Sequence, residues 1–186
     1  MGEPYGTRLR SGRWWRKILV AFVIFLLLAV AATARYLIWP DLDRPPPRVD
    51  AIIELGGPGD RDSAAISLAR EGRAAFLVQS TVVKEAGTDK CLPVVRGVSV
   101  VCFHADPLTT RGEAQSIARL AQQYRWTSVI LVTTPDQAFR AQLRVSRCFP
   151  GSIYVVTTPL PPLHWPYWIP YQWGAFAKAL LFEREC

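Results

Sequence analysis

From residue 49 onward the chain alternates between two hydrophobic periodicities. Short apolar runs fall at Val49–Leu55, Ala74–Gln79, Val98–Phe103, Thr127–Thr133 and Ser152–Thr157, each of strand length. Between them lie longer segments with helical spacing. Asp60–Glu71 places Ala64, Ala65, Leu68 and Ala69 on one face. Thr109–Tyr124 turns Ile117, Leu120, Ala121 and Tyr124 inward, and Pro135–Arg147 and Gly174–Glu183 complete the helices. Continuous apolar strands separated by helices predict a parallel sheet covered on both faces. The expected fold is α/β, a Rossmann-like three-layer αβα sandwich with a mostly parallel sheet of about five strands. The aromatic stretch LHWPYWIPYQW, 163–173, reads as a loop because prolines punctuate it. It either covers the sheet edge and core or dips into a membrane surface.

The first fifty residues follow neither rhythm. Ile18–Ala34 is 17 residues without a charge, and YLIW after Arg35 extends the apolar character to Trp39. That length is at the short end for a membrane span, and Arg35 can snorkel to lengthen it. The divisions expected are a basic tail 1–17, a transmembrane anchor 18–39, a Pro-rich spacer 40–48 holding the domain off the membrane, and an α/β domain 49–186. A cleaved signal peptide is the alternative, with ATA at 32–34 as its processing site, but the apolar run exceeds the usual h-region. Charge sets the orientation. Arg8, Arg10, Arg13, Arg16 and Lys17 precede the run, which places the N-terminus in the cytoplasm and the domain outside it. Residues 1–39 hold six basic residues against one acid, leaving 16 against 14 in the remainder. The net charge of +7 is therefore mostly a property of the N-terminal segment, and a nucleic-acid partner is not expected.

Cys91, Cys102, Cys148 and Cys186 make an even set, as befits an exported domain with two disulfides. Three pairings are open. Cys91–Cys102 is a short local closure, and Cys148–Cys186 would tie down the chain end, so that pairing is expected. No Cys-x-x-Cys occurs and His104 and His164 are far apart in sequence, so no metal site is expected.

Ligands of parallel sheets bind beyond the carboxyl ends of the strands. Gly56, Gly57 and Arg61 follow the first strand, and Ser80 follows the second. TTRGEA, with Thr110 and Glu113, follows the third, and Thr134, Gln137 and Arg140 follow the fourth. Hydroxyls, helix N-termini and arginines together favour an anion. Arg61 is either its cationic ligand or part of a tight turn capped by Asp60. Glu113 is either the reciprocal half of a capping box with Thr110 or a carboxylate able to take a proton or bind a cation. Arg140 either reaches the cleft or is a solvated helix arginine. No nucleotide fingerprint or P-loop is present, and no cofactor is evident.

VDAIIELGG with Arg61, then TTRGEA, then VTTPDQAFRA, in that order, resemble the YdcF/SanA/ElyC-like family of bacterial proteins over roughly residues 49–157. The resemblance implies a Rossmann-like fold and a role in envelope biogenesis. Vancomycin exclusion and binding of nucleotide-like molecules such as S-adenosylmethionine are associated with different members. This chain has Gln137 where the family usually has histidine, and an amide is no general base near neutral pH. The implied function is binding of a small phosphate-bearing or nucleotide-like ligand, with Glu113 as acid or base if there is turnover. The alternative is a non-catalytic envelope scaffold acting through 163–173.

Overall fold

The computed structural model describes residues 11–81 and 91–186. The tail residues Arg8 and Arg10 and the loop segment 82–90 lie outside the described residues. Five strands, β1 (Val49–Glu54), β2 (Ala74–Thr81), β3 (Ser99–His104), β4 (Ser128–Thr133) and β5 (Ser152–Thr157), form one sheet in the order β3-β2-β1-β4-β5. All four pairings are parallel, so the sheet is wholly rather than mostly parallel. The helices are α1 (Ser11–Thr33), α2 (Arg61–Arg70), α3 (Thr110–Tyr124), α4 (Pro135–Ser146) and α5 (Trp165–Leu181).

The period-two alternation of β1 explains both layers. Ala51, Ile53 and Leu55 face one side, where they meet Ala114, Ile117 and Ala121 of α3 and Ala138, Ala141 and Val145 of α4. Ile52 faces the other, against Ala65 and Ala69 of α2, while Val49, at the start of the strand, joins this second cluster out of the alternation. Small helix residues let the helices approach the β-branched sheet surface closely. At the amino end of the sheet Asp50 ties β1 to β4. Its Oδ2 accepts from the N–H and hydroxyl of both Thr127 and Ser128, at 2.7–3.1 Å. Burial pushes the Asp50 carboxyl up, but these four donors outweigh it and hold it below its ordinary value. Both expected disulfides are present, Cys91–Cys102 and Cys148–Cys186.

Two expectations are corrected. The segment 163–173 is not a loop: a 3-10 turn at Pro162–His164 leads into α5, which already includes Trp165. Pro166 lies in the first turn, where a missing N–H removes no helical bond, and Pro170 follows just one turn later. The Pro-rich segment also does not separate the end of the apolar helix from the domain. Among the described residues one helix, Trp14–Ile38, is long and apolar enough to cross a membrane, and α1 ends in a π-helical stretch, Ala34–Ile38, packed directly on α4. Leu37 is buried, the Tyr36 ring meets Phe139 edge-on at 5.3 Å, and Trp173 Nε1 donates to Thr33 Oγ1 at 3.0 Å. The spacer itself is pinned to the domain, with Arg73 donating to the Pro46 carbonyl at 2.8 Å.

Candidate functional site

The chain runs outward from β1 to β3 on one side, then returns to β4 beside β1. The carboxyl ends of β1 and β4 flank this reversal, which is where open α/β sheets bind ligands. Here the β1–α2 loop, Leu55–Asp60, is built around Arg61. That side chain is 1% exposed, and all five of its N–H groups are engaged. Nε donates to the Pro58 carbonyl at 3.0 Å, and Nη1 to the carbonyls of Leu55 at 2.8 Å and Gly56 at 2.6 Å. Nη2 donates to Thr134 Oγ1 at 3.0 Å and Gln137 Oε1 at 3.1 Å. The arginine is the scaffold on which the glycine loop is wound. Gly57 is required above it: its φ is +136°, and a Cβ there would sit 2.7 Å from Arg61 Nη2. Asp60 caps α2, accepting from the Ser63 N–H at 3.2 Å.

Above this floor is a cavity of about 230 Å³, lined by Gly56, Gly57, Ser80, Thr110, Glu113, Gln137 and Arg140, among others. Drug-sized ligands occupy pockets of about 300 Å³ upward, so the space suits a smaller ligand. Two aromatic rings of α5, Trp168 and Tyr171, complete its wall. The N-terminus of α3 borders it. Thr109 is the N-cap, accepting from the Gly112 N–H at 3.3 Å, and Gly112 lies under the Pro107 carbonyl, which a Cβ would approach to 2.0 Å.

Glu113 does not complete a capping box. Its Oε1 reaches across the cleft to accept from the Gly56 N–H at 2.8 Å, and Ser80 also hydrogen-bonds it. Burial pushes the carboxyl above its ordinary range. The Gly56 and Ser80 bonds and the Arg61 and Arg140 charges pull it down, without overcoming the burial. Glu113 is thus held toward its neutral form.

Arg140 is disposed in the opposite way to Arg61. Nε donates to Gln172 Oε1 at 2.9 Å and Nη1 to Thr110 Oγ1 at 2.7 Å. Nη2 makes no hydrogen bond to a described residue. Burial lowers its pKa, opposed by Tyr171, Glu113 and Asp136, but a guanidinium stays protonated. Gln137 stands between the two arginines, accepting from Arg61 and donating from Nε2 to Thr110 Oγ1 at 3.3 Å. Its amide is a strut.

Most of the residues read from the sequence as ligand-binding therefore converge: Gly56, Gly57, Ser80, Thr110, Gln137 and Arg140 line one cavity with Glu113. Arg61 and Thr134 do not. Both are buried beneath the loop and bonded to each other, so Arg61 is part of the turn, the second of its two readings, and the expectation of it as the cationic ligand is corrected. Sequence reasoning missed Gln172, which is 2% exposed. Its Oε1 holds Arg140, and its Nε2 donates to Asp136 Oδ2 at 2.9 Å. An amide among five aromatics in a proline-rich run was the signal. Among the described residues no group of three His, Cys, Asp or Glu side chains is arranged to hold a metal.

The arrangement offers a fixed cation with a free edge, a helix N-terminus, several hydroxyls and one carboxyl held toward neutrality. Such a site stabilises an anion, and a neutral carboxyl beside it donates a proton or hydrogen bond rather than repelling charge. Comparison with protein-family models, curated proteins and solved structures finds no match to this chain.

Proposed function

We propose that this chain is a membrane-anchored envelope protein of the YdcF-like kind that binds a small anionic, phosphate-bearing or nucleotide-like ligand at the carboxyl ends of β1 and β4. The observation that carries this is Arg140: it is positioned by Gln172 and Thr110 at the cavity wall with Nη2 unspent. Thr110 and the start of α3 add dipolar donors, and Glu113 is the one group placed to transfer a proton. Gln137, engaged at both ends, has no part in proton transfer. The N-terminus lies in the cytoplasm and the domain outside, a reading supported by the basic residues ahead of the span and by the two disulfides.

Thermal-shift titration of the full chain with inorganic phosphate, pyrophosphate and nucleoside 5′-phosphates tests the binding claim. Saturable stabilisation by at least one of them is expected. No shift with any member of the panel would remove the anion site. A C-terminal reporter that fluoresces only in the cytoplasm should stay dark, and a bright signal would reverse the topology.

A further inference from the structure

We infer that α5 is a membrane-surface helix, lying in the bilayer interface beside the anchor and bringing the wall of the cavity to the lipid surface. The inference rests on the membrane span and not on the identity of any ligand.

The first observation is depth. The apolar span runs Trp14–Ile38, and 25 residues of helix cover about 37 Å, more than the roughly 30 Å hydrocarbon core. Thr33 is five residues short of its end, about 7 Å below it along the helix. With the span centred, that is just inside the hydrocarbon edge. Trp173, in the middle of α5, hydrogen-bonds to Thr33 Oγ1. Phe176 and Trp173 also line a crevice with Tyr36 and Leu37 at the end of the anchor. The middle of α5 is thereby set at the level of the lipid headgroups and upper acyl chains, where tryptophan indoles concentrate.

The second observation is composition. α5 buries only Gln172 and Ala179, yet its outward side is uncharged from Trp165 through Ala177. Tyr167 is 67% exposed, Leu181 60% and, just beyond the helix, Phe182 80%. A helix apolar all round belongs in a core or in lipid, and here much of that surface has no protein cover among the described residues. Continuity with the anchor selects lipid as the cover: α5 touches the end of the span through Trp173 and Phe176, and interfacial helices present an apolar face with aromatic residues at the headgroup boundary. Trp168 and Tyr171 belong both to this helix and to the cavity wall, so the cavity lies against the membrane surface.

The test uses the full chain in proteoliposomes. All four native cysteines are in disulfides, so a single added cysteine takes an environment-sensitive fluorophore selectively without reductant. Labels at Tyr167→Cys and Leu181→Cys are compared with Val94→Cys, in the loop preceding the edge strand β3, and with Leu27→Cys and Trp39→Cys in and at the end of the span. With quenchers carried on shallow lipid positions, the α5 labels should be quenched at least half as strongly as Trp39→Cys, and Val94→Cys should not be quenched. Labels on α5 that behave like Val94→Cys, open to aqueous iodide, overturn the inference. Labels shielded from both iodide and lipid quencher overturn it too, and identify a second protein surface as the cover. Absence of quenching at Trp39→Cys by the shallow quencher and at Leu27→Cys by one carried deep in the acyl chains removes the span itself, separating that failure from misplacement of α5.

Discussion

Glu113 and Gly56 are 57 positions apart in the chain and joined by a 2.8 Å hydrogen bond from the Gly56 backbone N–H to the Glu113 carboxylate. This bond closes the glycine loop of β1 onto the first turn of α3, across the cavity. Glu113→Gln keeps an acceptor at Oε1 and should fold with near-normal stability. Glu113→Ala leaves the part-buried Gly56 N–H to water in the cavity and should lose about 0.5–1.5 kcal/mol. Equal melting points for the two variants would show that the bond contributes nothing.

The same carboxyl sets a pH dependence. Its folded pKa lies above its ordinary value because of burial, so it is neutral at low pH and ionises only above the usual carboxylate range. Ionisation puts a negative charge in the cavity. Pyrophosphate affinity should therefore fall as pH rises through that pKa, and Glu113→Gln measured on the same ligand should lack this component. Parallel pH profiles for the two proteins would count against it.

Arg61 should behave as a structural residue. Arg61→Lys removes the planar fork that serves five neutral acceptors and should lower the melting temperature by the equivalent of about 1–3 kcal/mol or more, the cost of buried acceptors left without a donor. Affinity per folded molecule should be unchanged. Gly57→Ala should mimic it, since a Cβ meets Arg61 Nη2 at 2.7 Å with φ at +136°. Reduced affinity in folded Arg61→Lys, with normal stability, would make Arg61 a ligand after all.

The layer architecture was legible because apolar β-runs and alanine-faced helices give different periods, as in Val49–Leu55 against Asp60–Glu71. So was the gathering of polar residues at the carboxyl ends of the strands, because the loops after the first, third and fourth strands carry glycines, hydroxyls and charged side chains that come to line one cavity. The roles within it were not legible. Arg61 and Arg140 look alike in sequence, and only the partners of their N–H groups separate them: those of Arg61 are all spent on the loop and its neighbours, while Arg140 keeps Nη2 without a bond to a described residue. Glu113 stood at capping distance from Thr110, yet a more distant donor, Gly56, holds it. α5 was hidden because prolines that normally end helices here fall in its opening turns.

Glu54 carries a second pH effect, away from the cavity. Burial, reinforced by the nearby Asp62 carboxylate, raises its pKa to about 8, against the opposing pull of Gln79 and Arg61, and its Oε2 has no partner among the described residues. The protonated form fits the fold, so stability is full below the unfolded value of 4.5 and is lost as pH rises toward about 8. Glu54→Gln should raise the melting temperature at pH 8 and change it little at pH 4 to 4.5. Equal shifts at both pH values would contradict this.

Cys148–Cys186 closes a loop across a sequence separation of 38 and holds the chain end beside α4, where Arg144 pairs with Glu183. Cys186→Ser should cost about 3–4 kcal/mol by loop-closure entropy. It should also increase hydrogen exchange in the last turns of α5. Unchanged exchange there would mean the helix is held by its packing alone.

The central claim is that Arg140, with its Nη2 edge free, is the cation that binds the ligand, while Arg61 builds the loop. Calorimetric titration of the full chain with inorganic pyrophosphate, comparing wild type with Arg140→Ala, tests it most directly. Loss of a charge-assisted bond of about 1.5–3 kcal/mol predicts roughly ten- to a hundredfold weaker binding, with partial recovery in Arg140→Lys. Wild-type affinity in a folded Arg140→Ala protein would contradict the account.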